Sequence, residues 1–484
     1  MPSHDRVPPS GGAQYAPSSG GGDGASYVSS YDKSYGAGGG GGPDEATLQL
    51  HTLQLYTLAG ADAEAVCNDG SPGAYYFAPG DGNSNDWIIY LEGGMWCWNK
   101  ASCQSRFTET GFEMSSSKWA QTQDVGGIFS TEPSNPWSGA QKVYIGYCSS
   151  DAWVGDAPAS PETYNFAFRG QRIISATLAD LAARHGLDGS ASVLFGGCSA
   201  GARGAMFTLD YVQAMLPPGA RLRGLLDSSL WLDLPPPDAA EVSLQAQTQM
   251  VYDMVNPSAR IPPACAAAFP GEEWMCLYGQ YRLPYVQTPY IINAAQFDSF
   301  QLLYDLGGDA PQTATQVAFA DEFQRKTLEA LAAAHAAGNA VFSTSCLVHC
   351  LTADTQLYTS FTADGKTLAE SLTNWYFGGA TPDDVSSCTG YPCVASCPNA
   401  DTITGLGRAE QAQRVLDGDG SDAAQAPIGS EINGVWVYRQ QGMGFGGGAT
   451  ASGGGQGYVQ HPTANQDDAV SWMSQGRRLL RDSA

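Results

Sequence analysis

Leu194-Phe195-Gly196-Gly197-Cys198-Ser199-Ala200-Gly201 reads as a buried strand entering a Gly-x-Ser-x-Gly turn, with Ala202, Ala205, Met206 and Leu209 opening a helix behind it. Small residues at 197 and 201 let strand and helix approach closely. The helix N-terminus points its free N–H groups toward the serine. That geometry suits a nucleophile attacking an ester carbonyl, although glycine, serine and alanine also build ordinary loops. The neighbouring residues decide between the two.

Outward from this turn, apolar runs of strand length recur at Trp87–Leu91, Val143–Tyr147, Val193–Phe195, Leu222–Leu226, Tyr290–Ala294 and Ala340–Phe342. Helical spacing appears between them, over Arg172–His185 before Gly186 and over 316–337 before Gly338, each closed by a capping glycine. The alternation predicts an α/β chain with a mostly parallel central sheet flanked by helices. Residues 1–45 and 441–484 read as flexible Gly-rich tails around a single domain over 46–440. Segment 228–288, Pro-rich with Trp231, Trp274, Cys265 and Cys276, reads as an insertion: a lid or substrate wall, or a structural excursion stapled by a disulfide.

Composition excludes several classes. Lys and Arg number 23 against 48 Asp and Glu, a net charge of −25. Nucleic acid is therefore not an expected partner, and a polyanionic substrate would need a local basic patch to offset the field. No run approaches the ~20 apolar residues of a membrane span. The twelve cysteines favour a disulfide framework and an oxidising compartment, hence a secreted chain. Zinc is disfavoured, because no Cys-x-x-Cys pair occurs and no histidine lies near Cys388–Cys397. Met1–Tyr31 is polar throughout, so no signal peptide is evident, and no Asn-x-Ser/Thr sequon occurs. The Asp417–Asp422 run fails as a calcium loop, with Asp422 at position six and Ile428 at position twelve, and reads as a solvated turn.

A serine nucleophile needs a base, and the base an orienting carboxylate. Of six histidines, His4 lies in the tail, His51 precedes the first strand, His185 and His335 end helices, and His461 follows the Gly-rich stretch. His349 remains, just after a strand and between Cys346 and Cys350, which could pin its loop. Two aspartates at strand ends, Asp298 and Asp227, compete for the acid. Oxyanion donors are expected from Ala200 and from the glycine loop Glu92-Gly93-Gly94-Met95-Trp96-Cys97.

Six ordered motifs then carry a resemblance: Cys67-Asn68-Asp69-Gly70-Ser71-Pro72, Leu91-Glu92-Gly93-Gly94 with Trp96-Cys97, Tyr147-Cys148, Gly197–Gly201, Asn293-Ala294 with Asp298-Ser299, and Ser345-Cys346 with His349-Cys350. Together they resemble the pectin acetylesterase family, which also contains the Notum lipid deacylases, over about residues 48–400. The resemblance implies an α/β-hydrolase-like fold and a secreted, disulfide-bonded serine esterase without metal or cofactor. It implies a triad of Ser199, Asp298 and His349, with oxyanion N–H groups from Gly94, Met95 and Ala200, and so favours Asp298 over Asp227. Ala202 departs from the family's second glycine, and Met95 from its usual Gly or Trp.

The expected substrate is an O-acetylated polysaccharide, with Trp96, Trp98 and Trp153 as sugar-stacking surfaces. An acylated protein, deacylated in the Notum manner, is the alternative, and an inactive binding protein on the same scaffold is a third. A monomer is expected.

Overall fold

The computed structural model describes residues 50–237, 242–255, 257–307 and 310–399, and the backbone of 430–432 and 435–437. The tails expected over 1–45 and 441–484, His4, His461 and the Asp417–Asp422 turn lie outside the described residues.

A ten-stranded sheet organises the chain. Its strands in sequence are β1 (His51–Thr57), β2 (Ala74–Ala78), β3 (Asp86–Leu91), β4 (Thr122–Val125), β5 (Gln141–Ile145), β6 (Ser192–Cys198), β7 (Arg221–Asp227), β8 (Tyr290–Asn293), β10 (Ala340–Ser343) and β14 (Asp383–Val385). Three two-residue or three-residue pairings lie outside it: β9 (Phe297–Asp298) with β11 (Leu347–Val348), β12 (Thr362–Ala363) with β13 (Lys366–Thr367), and β15 (Ser430–Ile432) with β16 (Val435–Val437). In space the large sheet runs β14-β10-β8-β7-β6-β3-β5-β2-β1-β4. From β14 to β5 all pairings are parallel, and from β5 to β4 they are antiparallel.

Every residue of β6 is buried. Successive side chains point to opposite faces of a strand, so both faces of the sheet are covered at its centre. Toward the antiparallel edge β1 buries only Leu53, as a half-solvated strand does. His51 opens this strand rather than preceding it.

The helices are α1 (Lys100–Glu109), α2 (Gly170–His185), α3 (Ala200–Met215), α4 (Leu244–Val255), α5 (Pro263–Ala268), α6 (Gly279–Arg282), α7 (Ser299–Asp305), α8 (Ala314–Ala336), α9 (Thr355–Ser360) and α10 (Leu368–Tyr376). Helix α2 stops at Gly186, whose φ of 80° is the left-handed value a C-terminal glycine supplies without strain. Helix α3 packs on β6 and β7, and α8 on β10. Segment 228–288 holds α4, α5 and α6 and is tied by Cys265–Cys276.

All twelve cysteines are paired. The bonds are Cys67–Cys148, Cys97–Cys103, Cys198–Cys350, Cys265–Cys276, Cys346–Cys397 and Cys388–Cys393.

Burial raises the pKa of Asp305, at the end of α7, from the ordinary carboxylate range to about 8, against a smaller opposing effect from Gln301. A raised carboxylate favours the fold below its unfolded pKa, and that advantage is lost as pH rises through about 4 to 8. Asp305→Asn is therefore expected to raise Tm by several degrees at pH 8.5 and to leave it nearly unchanged at pH 4, measured by calorimetry.

Candidate active site

The turn at Ser199 forms because two glycines allow it. A Cβ on Gly201 would lie 2.0 Å from the Leu91 carbonyl oxygen, and one on Gly197 would lie 2.5 Å from the same atom. No side chain fits either gap, so β6, β3 and the start of α3 meet backbone to backbone. Ser199 takes φ 56° and ψ −120°, a conformation that L-residues seldom adopt. Its amide donates to the Asp227 carbonyl at 2.9 Å, and its own carbonyl accepts from Arg203 N–H at 2.9 Å. The side chain thus stands at the carboxyl end of β6, where α/β sheets place their ligand crevice.

The short parallel pairing of β9 with β11 sets Asp298 opposite Val348, one residue before His349. The Asp298 carboxylate then faces the His349 Nδ1 at 2.9 Å through Oδ1 and 2.8 Å through Oδ2. An ionised carboxylate only accepts, so Nδ1 is the donor of this pair, and in a neutral imidazole Nε2 then presents its lone pair. Asp298 Oδ1 also accepts from Gln301 N–H at 3.0 Å, capping α7 and fixing the carboxylate's plane. His349 Nε2 is buried and has no hydrogen-bond partner. A serine-to-histidine contact is therefore not closed in this geometry; in resting hydrolases such contacts are often long and tighten with substrate. Trp231 and Phe300 wall the imidazole, with ring centroids 6.1 Å and 5.3 Å from it.

Asp227, the other aspartate considered, does different work. It is fully buried and accepts from Leu351 N–H at 2.8 Å, Thr352 N–H at 2.9 Å, Thr352 Oγ1 at 2.6 Å and Asn293 Nδ2 at 2.6 Å. It holds the loop after His349 against the end of β7 and, among the described residues, forms no hydrogen bond with the imidazole ring.

The Cys198–Cys350 disulfide joins the residue before Ser199 to the residue after His349. Its sulfurs and a His349 ring nitrogen all lie within 4.8 Å of one another. Because both sulfurs are spent in this bond, the group offers no thiolate to a metal. Cys346–Cys397 pins the other end of the same loop. Removing the first bond with the Cys198→Ala, Cys350→Ala pair is expected to cost about 3 kcal/mol of stability. Misplacing Ser199 and His349 relative to one another by a fraction of an ångström is expected to lower kcat/KM on an ester by about tenfold or more. Melting curves and initial rates check both.

Opposite Ser199, the glycine loop is clamped from behind. Arg106 Nη2 donates to the Gly94 carbonyl at 2.6 Å, and the Tyr147 hydroxyl donates to the Met95 carbonyl at 2.8 Å. In a trans peptide C=O and N–H point oppositely, so gripping the Gly94 carbonyl turns the Met95 N–H to the other side of the loop. Arg106 is held in turn by Glu113 at 2.9 Å and Ser150 Oγ at 2.8 Å. Met95 has φ 62°, and Cys97–Cys103 ties the loop to α1. Ala200 begins α3, where the first N–H groups lack intrahelical acceptors. Sequence reading named the loop but missed Arg106, Glu113 and the clamp of Tyr147, whose motif carried no hint of its target.

The tryptophans need one correction. Trp153 is 0% exposed, its Nε1 donates to the Glu92 carbonyl at 3.0 Å, and its ring rests on Tyr147. A fully enclosed indole offers no face to a sugar, so Trp153 is a core residue. Trp96 and Trp98 are also buried, and Trp96 hydrogen-bonds Gln247 at 3.0 Å.

Comparison with known proteins agrees with this architecture. The Drosophila Wnt deacylase Notum matches with a TM-score of 0.65 and 30% identity, covering 72% of this chain and 100% of that one. The fold is α/β-hydrolase-like. Palmitoleoyl-protein carboxylesterase NOTUM of Homo sapiens is 35% identical over 274 residues, 54% of each chain. Pectin acetylesterase 11 of Arabidopsis thaliana is 29% identical over 366 residues, 70% of this chain and 90% of its own length. The chain spans about half the length of the animal relatives it matches. A model of the pectinacetylesterase family matches residues 47–398, and the chain belongs to that family.

Proposed function

We propose that this chain is a serine carboxylic-ester hydrolase that removes O-acetyl groups from an extracellular polysaccharide. The observation that carries the reading is the Asp298 carboxylate on His349 Nδ1, with Nε2 left free on a loop stapled beside Ser199. His349 Nε2 takes the Ser199 proton, and Oγ attacks the acyl carbonyl. Asp298 holds the imidazole tautomer and stabilises the imidazolium. The N–H groups of Gly94, Met95 and Ala200 receive the oxyanion. The imidazolium returns its proton to the leaving alcohol. Water, deprotonated by the same nitrogen, then cleaves the acyl-enzyme to acid and free Ser199. The scheme needs no metal or cofactor.

The fully paired cysteines support an oxidising, extracellular setting, and the net charge argues against nucleic acid. Among the described residues no helix is long and apolar enough to cross a membrane. A second reading, removal of a fatty acyl group from a protein, is favoured by the 35% identity to a palmitoleoyl-protein carboxylesterase. In that reading segment 228–288 roofs the acyl chain. Hydrolysis of p-nitrophenyl acetate against p-nitrophenyl decanoate separates the two. The acetylesterase reading expects a preference for acetate, and a preference for decanoate overturns it. Equal, background rates on both would leave only a binding protein.

A further inference from the structure

Asp151 is a buried carboxylate outside the proposed triad, and the loop it organises carries the glycine loop. It is 0% exposed, and among the described residues no Lys or Arg pairs with it. Burial raises its carboxyl to about 6 against the pull of four donors, so it is ionised at neutral pH. Oδ1 accepts from Ser149 Oγ at 2.6 Å and from Trp153 N–H at 2.9 Å. Oδ2 accepts from Gly155 N–H at 3.1 Å and from Gly170 N–H at 2.9 Å. Two glycines make room for the group: a Cβ on Gly170 would lie 2.5 Å from Oδ1, and one on Gly155 would lie 2.7 Å from Oδ2.

The segment around Asp151 is strained. Ser150, Ala152 and Trp153 take φ of 49°, 50° and 66°, the left-handed region that side chains disfavour. Such backbone persists only where its surroundings over-determine it. Here the carboxylate grips the chain at 149, 153 and 155 and anchors it to the start of α2 at Gly170. The glycine loop rests on this platform along its length. Trp153 Nε1 holds the Glu92 carbonyl at 3.0 Å, and Ser150 Oγ accepts at 2.8 Å from Arg106, which grips the Gly94 carbonyl. Trp96 pairs antiparallel with Asp151, and Cys97 N–H donates to the Ser150 carbonyl at 3.1 Å. The Tyr147 hydroxyl accepts from Ala152 N–H at 2.7 Å, which aims its own proton at the Met95 carbonyl, 2.8 Å away.

We propose that Asp151 is a positioning residue for the oxyanion donors: by fixing the 149–155 loop it holds the Gly94 and Met95 N–H groups where the oxyanion forms, a reading that rests on ester hydrolysis at Ser199. Asp151 itself touches no substrate. Its influence reaches the glycine loop through Ala152 and Tyr147 to Met95, and through its own pairing with Trp96. Preorganised donors act on charge that develops only in the transition state, so a loosened platform slows the chemistry and leaves ground-state binding alone.

The test measures kcat and KM separately on p-nitrophenyl acetate for the full chain, Asp151→Asn, Tyr147→Phe and the double variant, well below their melting temperatures. An asparagine at 151 sets an NH₂ group against N–H donors and releases part of the loop. Its kcat is expected to fall at least about tenfold with KM within about twofold. Tyr147→Phe cuts the same link nearer the glycine loop and is expected to lower kcat about tenfold in the same pattern. The double variant should lose less than the product of the two single losses, because both reach Met95 through one hydroxyl. A folded Asp151→Asn with lowered Tm and wild-type kcat, a loss in KM alone, or single losses that multiply overturns the proposal. If Asp151→Asn fails to fold, Ser149→Ala, which removes one of the four donors, takes its place in the cycle. An active wild type whose variants keep kcat removes the positioning role alone. Wild type that cleaves no ester removes the esterase reading and this proposal together.

Discussion

Ser199→Ala is expected to lower kcat/KM for p-nitrophenyl acetate by at least about 10⁴-fold while Tm stays within a degree or two. The loss is large because the proposed covalent step runs through Ser199 Oγ, and all twelve cysteines are in disulfides. Stability should hold because the turn is imposed by Gly197 and Gly201 and by the Ser199 backbone bonds, none of which involves Oγ. Any residual rate would report the proposed backbone donors of Gly94, Met95 and Ala200 acting on a water attack. Initial rates and a melting curve on the same preparation check both halves.

Asp298→Asn and Asp227→Asn are expected to fail in opposite ways. At 298 the amide keeps an oxygen for Gln301 N–H, so α7 stays capped. Its NH₂ group, however, can donate to His349 Nδ1 and so favours the tautomer with its proton on Nε2. That tautomer cannot accept from Ser199, and kcat should drop by roughly 10³ to 10⁴ with little change in Tm. At 227 one carboxylate oxygen accepts three donors and the other accepts Asn293 Nδ2. Either orientation of an asparagine sets NH₂ against a donor. That change should cost about 2–3 kcal/mol and lower Tm by several degrees, with a smaller kinetic effect. Equal kinetic losses at both positions would contradict the division of labour between the two aspartates.

The reasons some features were legible and others not are local. Strands β3, β6 and β8 are continuous apolar runs, as buried parallel strands must be, and they read directly. Strand β4 reads Thr-Gln-Asp-Val and β14 reads Asp-Asp-Val, too short and polar for any period to show. Helix α3 is visible through Ala202, Ala205, Met206 and Leu209, whereas nothing local in the sequence marks Arg203 among them as buried. Its burial depends on Trp96 and Trp231, far away in the chain. Asp298 and Asp227 end similar strands, and only the pairing of β9 with β11, some fifty residues apart in sequence, brings one of them to His349. The flanking cysteines of His349 suggested a pinned loop. That Cys350 is bonded to Cys198 follows from the juxtaposition of two strand ends, which spacing does not encode.

The central claim is that Ser199 is the nucleophile. Labelling the full chain with an alkyl fluorophosphonate, digesting it and locating the adduct by mass spectrometry tests this most directly. The account predicts one adduct per chain, on the peptide containing Ser199, with esterase activity lost in step and no labelling of Ser199→Ala. Labelling at another residue, or full labelling with ester hydrolysis intact, would contradict it.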